Sequence, residues 1–282
     1  MPNNTRKRGM SFLVHGHSKV GKSSLALTGP APRLICDIES AAHLLPNKLI
    51  WWDPKTEPVP VWDGSWDTCV VDVDDFETVI QVYNVIKTGQ HPFKTMVIDS
   101  VSELQSTIMK MTMKQQDWGL VLAKLASLCR DLRDLPRKRN NPLEILVLTA
   151  MTKKYDAAPD GSGGIYKPYL QGQIATLIPY WYDVVGYLFI QTFKDPTTNK
   201  SYDVRRLLTA KNPEFEAGNR VAGLEPYINY PNLEQVADQF FGPREQESLQ
   251  QANESVQNVE QALVLNTTQT STPKMNLPTI KQ

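Results

Sequence analysis

The stretch FLVHGHSKVGKSSLAL, residues 12–27, decides the fold. Three strand-like apolar residues run into small and polar ones, and the chain then returns abruptly to helix formers. Gly16 to Ser23 spells G-x-x-x-x-G-K-S, the P-loop pattern. Glycines let the backbone curl until its N–H groups point inward at a phosphate, and the helix that follows adds its positive end. On this pattern Gly16, His17, Ser18, Lys19, Val20, Gly21, Lys22, Ser23 and Ser24 line a nucleotide site. Lys22 reaches the β- and γ-phosphates, and the Ser23 hydroxyl ligates Mg²⁺. The alternative is a plain glycine turn between strand and helix. An apolar strand before the motif and SSLAL after it are the context that phosphate binding requires, so the segment predicts a site for ATP and Mg²⁺.

Working outward, the 282-residue chain suits one large domain with an appendage or two small ones. Hydrophobic residues make up 41%, enough for a buried core. Thirty basic and thirty acidic residues balance, so any nucleic-acid contact must come from a local patch. Cys36, Cys69 and Cys129 stand far apart without C-x-x-C spacing, which argues for buried thiols in a reducing compartment and against zinc. With no apolar leader and no run of 18 apolar residues, a cytoplasmic chain that does not span a membrane is expected.

Residues 1–10 suggest a flexible arm, 11–242 an ATPase core, and 243–282 a polar tail too poor in apolar residues to fold alone. Within the tail, apolar residues from Leu249 to Leu263 recur at helical steps. In the core, strand-like runs (SFLVH, RLICDI, TMVID, EILVLTA, WYDVVGYLFIQTF) alternate with the helical patterns DFETVIQVYNVIK, VSELQSTIMKMTMK and WGLVLAKLASLCRDL. Such alternation predicts an α/β fold, a mainly parallel sheet flanked by helices. Across 181–210 two strand-like runs flank the turn KDPTTNK, so an antiparallel hairpin is expected at the sheet edge. The insert WWDPKTEPVPVWDGSW, residues 51–66, suggests aromatic packing over the sheet.

A P-loop needs a second acidic residue to position Mg²⁺, and Asp99 at the end of TMVID supplies it. The competing reading of Asp99 is a cap on the helix beginning at VSELQ. RLICDIES then offers Asp37 and Glu39 beside the γ-phosphate as a base for water. Glu39 is the choice, because Asp37 falls within the strand. Thr149, ending EILVLTA, lies where a neighbouring strand could present a hydroxyl to the γ-phosphate.

Together these segments resemble the RecA-like P-loop ATPases, and among them the phage-type nucleotide-binding proteins related to single-strand-annealing recombinases. The resemblance covers roughly residues 10–235. It rests on GHSKVGKSS, LICDIES, VIDS, the Asp117-Trp118-Gly119 step before a long helix, the YDVVGYL strand, and Gly218-Asn219-Arg220. It implies that Glu39 is the general base and that Lys211 or Arg220 reaches the γ-phosphate of a neighbouring subunit in a ring or filament. It also implies a bacteriophage source. RecA itself carries a glutamine where this chain has Thr149-Ala150-Met151, so its coupling of nucleotide to DNA is expected to be altered or absent here.

TKKYDAAPDGSGGIYKPYLQGQ, residues 152–173, is long, glycine-rich and irregular in appearance, the kind of loop that is usually functional. Lys153, Lys154 and Lys167 are interleaved with Tyr155, Tyr166 and Tyr169. Cations that track a backbone and rings that stack on bases suit single-stranded DNA without sequence preference. The expected function is therefore a DNA-stimulated ATPase that binds single-stranded DNA and promotes annealing or recombination as a homo-oligomer. Its tail could recruit a single-strand-binding protein. The alternatives are a nucleotide-gated loader or scaffold with negligible turnover, and a P-loop kinase of a small substrate.

Overall fold

The computed structural model describes residues 9–46, 48–111, 117–156 and 164–242. The chain divides into two units, Met1–Phe241 and Gly242–Gln282. The arm before Gly9 and the helical pattern at 249–263 lie outside the described residues.

The chain order is β1 Met10–Gly16, α1 Lys22–Ala26, β2 Arg33–Asp37, β3 Leu49–Trp51, β4 Thr68–Asp72, α2 Phe76–Ile86, β5 Thr95–Asp99, α3 Val101–Met111 and α4 Trp118–Asp134. There follow β6 Ile145–Tyr155, β7 Ile165–Pro168, α5 Ile174–Leu177, β8 Val184–Lys194, β9 Ser201–Leu208, β10 Gly218–Asn219, β11 Tyr227–Asn229 and α6 Leu233–Phe241. Among the described residues the strands form one sheet in the order β11-β9-β8-β1-β6-β5-β2-β4-β3, with β10 on β8 and β7 on β6. From β8 to β3 every neighbour in that order is parallel. β9, β10 and β11 pair antiparallel. This is the expected α/β architecture with antiparallel strands at one edge.

The apolar runs are continuous because both faces of the sheet are covered. Leu34, Cys36, Met96, Ile98, Leu146 and Leu148 point to the face where Val79, Val82 and Ile86 of α2, Leu104 and Ile108 of α3, and Leu125 and Leu132 of α4 pack. Their strand neighbours Ile35, Val97, Ile145 and Val147 point the other way, to Leu25 and Ala26 of α1 and Val236 and Ala237 of α6. Each fully buried aliphatic side chain of this kind is worth about 1.5–3 kcal/mol. α2 starts where Asp75 accepts the Thr78 N–H at 2.7 Å, an N-cap that fixes its first turn.

Several details differ from the expectations above. The first strand begins at Met10, one residue inside the expected arm. The 181–210 hairpin forms as β8 and β9, yet β9 is not the outermost strand, because β11 pairs along it. Residues 152–173 are not irregular throughout. β6 runs on to Tyr155 and β7 pairs back along it, Lys153 opposite Lys167 and Lys154 opposite Tyr166, while residues 157–163 lie outside the described residues. TCVVD forms β4, which was not among the expected strands. The 51–66 insert buries Trp52 and Trp66 against Phe93, ring centroids 6.3 and 6.1 Å away. The three cysteines are free and buried. Among the described residues no helix is long and apolar enough to cross a membrane.

Candidate nucleotide site

β1 delivers the P-loop to the carboxyl end of the parallel strands, where α/β sheets bind ligands. Two glycines make its curl possible. A Cβ on Gly16 would stand 2.4 Å from the Leu188 carbonyl oxygen on β8, so only glycine lets β1 lie this close. Gly21 has φ +92°, the left-handed region, and the Arg205 guanidinium fills the space its side chain would take. Lys22 folds back over the loop, its Nζ donating to the carbonyls of Gly16 at 3.2 Å and His17 at 3.0 Å. Burial lowers the Lys22 pKa, and the carboxylates of Glu39 and Asp99 act in the opposite direction.

β1, β2 and β5 end side by side while β6 runs on between β1 and β5, which brings Lys22, Ser23, Glu39, Asp99 and Thr149 together. Asp99 closes β5 and is nearly buried. The Ser23 hydroxyl donates to it, as does the hydroxyl of Thr149, which is itself 0% exposed. Burial raises the Asp99 pKa above the usual carboxylate range; the two hydroxyls oppose that shift, and the nearby charges of Glu39 and Asp37 add to it. Thr149 thus stands behind Asp99, its hydroxyl committed to that carboxylate.

The choice between the two acids of RLICDIES becomes concrete. Asp37 is 3% exposed, and its two oxygens accept the N–H groups of Ala41 at 3.2 Å and Ala42 at 2.7 Å, capping the short turn Ala42–Leu44. Glu39 is exposed, and its Oε1 accepts the Ser100 hydroxyl at 2.6 Å. Ser100, the residue after Asp99, therefore fixes one oxygen of Glu39 and leaves the other open. TMVIDS displayed Ser100 in sequence, but its partner sits 61 positions away.

The residues present fit a magnesium nucleotide. Mg²⁺ prefers oxygen, and it is usually bound by one or two carboxylates together with substrate phosphates and waters. Ser23 and Asp99 supply a hydroxyl and a carboxylate at the mouth of a glycine cradle. Among the described residues no cluster of three or more His, Cys, Asp or Glu forms a self-sufficient metal site.

The loop also touches the β6–β7 hairpin, through residues whose role sequence reasoning missed. His15, wholly buried in β1, lies 3.0 Å from the Thr152 hydroxyl through Nδ1 and 2.7 Å from the Glu216 carbonyl through Nε2. Burial lowers its pKa to about 4, so at neutral pH the ring is uncharged, with Nε2–H donating to the carbonyl and Nδ1 accepting. The His17 ring meets the Tyr166 ring edge-on at 5.6 Å. At the base of the hairpin Ser102 donates to the Tyr169 carbonyl at 2.8 Å, and Gln105 makes two bonds with the backbone of Gln171.

On the hairpin, Lys153 and Lys154 are exposed and lie over the rings of Tyr169 and Tyr166 at 5.3 and 5.5 Å. Lys167 sits 3.8 Å from the Glu216 carboxylate, and the Tyr155 hydroxyl donates to the Leu170 carbonyl at 3.3 Å. The two other cations named from sequence do not join the P-loop of this chain. Lys211 is exposed in the loop after β9. Arg220 follows β10, which pairs with the opening residues of β8, so it lies at the end of the sheet opposite the P-loop. There it donates to the Tyr180 carbonyl at 2.5 Å.

Fold and site together define a P-loop NTPase. The chain belongs to the AAA domain family of P-loop ATPases, whose model matches residues 8–221. No curated protein matches it.

Proposed function

We propose that the chain is a RecA-like ATPase that hydrolyses ATP, binds single-stranded DNA through the β6–β7 hairpin, and promotes annealing or recombination as a homo-oligomer. The observation that carries this reading is the double attachment of the hairpin to the nucleotide site. His15 at the end of β1 and His17 in the P-loop reach it from one side, and Ser102 and Gln105 reach it from the helix that follows Asp99. A change in the loop on binding phosphate is thereby felt by Lys153, Lys154 and Tyr166. This supplies a route between sites that needs no glutamine after β6.

Within the site Lys22 exchanges its two loop carbonyls for phosphate oxygens. Ser23 and Asp99 would hold Mg²⁺, which would supply positive charge against the negative charge that develops on the phosphates. Thr149 keeps the Asp99 carboxylate turned to that position. Glu39 orients a water with its free oxygen and takes up the water's proton, while Ser100 holds the other oxygen still.

The test is ATP hydrolysis with and without single-stranded DNA, by the wild type and by Lys22→Ala and Glu39→Gln. DNA should stimulate the wild type. Lys22→Ala should lose hydrolysis in both conditions. Glu39→Gln should fall by about 10²–10⁴-fold while still holding nucleotide and DNA. Turnover indifferent to DNA would remove the recombination reading and leave the ATPase. Nucleotide binding without measurable turnover would point instead to a loader.

A further inference from the structure

We infer that the groove between the β8–β9 hairpin and the Tyr230-Pro231 turn holds the base and ribose of the nucleotide whose phosphates the P-loop holds. The inference rests on the P-loop reading and adds a second half to that site. β8 runs parallel to β1 with Leu188 opposite Gly16, and it continues past the P-loop to Lys194. β9 returns beside it, placing Arg205 opposite Ile190 and Asp203 opposite Thr192. All four share the face of Leu188 and Leu207, which is the face that α1 packs on. The hairpin therefore overhangs the cradle on the side where the P-loop leaves β1.

The groove there has a volume of about 410 Å³ and is lined by Ile190, Asp203, Arg205, Tyr230 and Pro231. Its lining suits a flat heteroaromatic ring with a sugar attached. Tyr230 is 66% exposed and Ile190 48%, so a ring and an aliphatic face are open for stacking. Tyr230 has φ +48°, a left-handed conformation that a non-glycine residue rarely adopts. Its N–H donates to the Arg205 carbonyl at 2.8 Å, which ties the turn to β9. Asp203 accepts the Thr192 hydroxyl on one oxygen at 2.6 Å and keeps the other for a ribose hydroxyl.

Arg205 joins the two halves of the site. A Cβ on Gly21 would lie 2.6 Å from its Cζ, so the guanidinium rests directly on the P-loop. Among the described residues no carboxylate pairs with it. A planar cation between a phosphate cradle and a stacking ring can face both parts of one nucleotide.

The experiment is titration calorimetry on the full chain with ATP and, separately, with inorganic tripolyphosphate. Tyr230→Ala and Ile190→Asp should weaken ATP roughly ten- to a hundredfold, the usual worth of a base–aromatic stack, and leave tripolyphosphate unchanged. Tyr230→Phe, which keeps the ring, should bind ATP as the wild type does. ATP binding untouched by both first substitutions overturns the inference and leaves the P-loop reading intact. Equal loss of ATP and tripolyphosphate also overturns it, because the residues would then be acting on the loop. A wild type that binds neither ligand overturns the P-loop reading, and the base site with it.

Discussion

His15 shows how much one residue can carry in this molecule. It lies beneath the P-loop, wholly buried, with a hydroxyl on one ring nitrogen and a carbonyl on the other. Its pKa falls to about 4 in the folded chain against 6.5 when unfolded, so the unfolded state binds the extra proton first as pH drops. The stability this gives is complete above about pH 6.5 and drains away toward pH 4. Its ceiling is about 3 kcal/mol, because a tenfold difference in proton affinity between the two states is worth about 1.4 kcal/mol. Melting temperatures of the wild type should therefore drop more steeply between pH 7 and 4.5 than those of His15→Gln, which cannot titrate. Parallel curves for the two proteins would show that His15 is not the proton acceptor. In the sequence His15 was only the last residue of an apolar run. The same limit applies to Ser100 and Arg205, whose significance depends on partners far away in the chain, whereas Lys22, Ser23 and Asp99 announce themselves by local spacing.

At the level of elements, the β6–β7 hairpin explains both what was legible and what was not. Interleaved lysine and tyrosine marked it as a binding segment, but the glycines at its centre hid the strands on either side. Register then assigns the parts. Lys153 and Lys167 are direct cross-strand partners, a like-charge pairing that costs energy unless each finds relief. Lys167 finds it near Glu216 and Lys153 over Tyr169, which leaves Lys153 and Lys154 as the exposed cations. The double variant Lys153→Ala, Lys154→Ala should bind single-stranded DNA more weakly whatever the sequence. It should also lower the slope of log K against log salt by about 1.4, at roughly 0.7 per phosphate contact. An unchanged slope would assign DNA to another surface. β4 went unread for a different reason. Its run is short and follows an insert rich in proline and tryptophan, so no periodicity frames it.

For the whole molecule, the separation of Arg220 from the P-loop of its own chain has a definite implication. A cation at one end of the sheet can serve a phosphate site at the other end only in a neighbour, which the proposed homo-oligomer would supply if it assembles head to tail. Arg220→Ala and Lys22→Ala subunits should each be inactive alone, and mixing them should restore hydrolysis at about a quarter of the interfaces if subunits exchange at random. No recovery in a mixture shown to co-assemble would exclude Arg220 as the residue supplied in trans.

The pairing of β1 has a consequence for how the protein is made. Among the described strands β1 comes first in the chain, yet its two neighbours are β6 and β8, the nearer more than a hundred residues downstream. Leu188, whose carbonyl closes over Gly16, emerges later still. A growing chain on the ribosome therefore carries its phosphate motif without either sheet neighbour until β6 and β8 have emerged. The nucleotide site begins at β1 and gains its far wall only when β8 arrives.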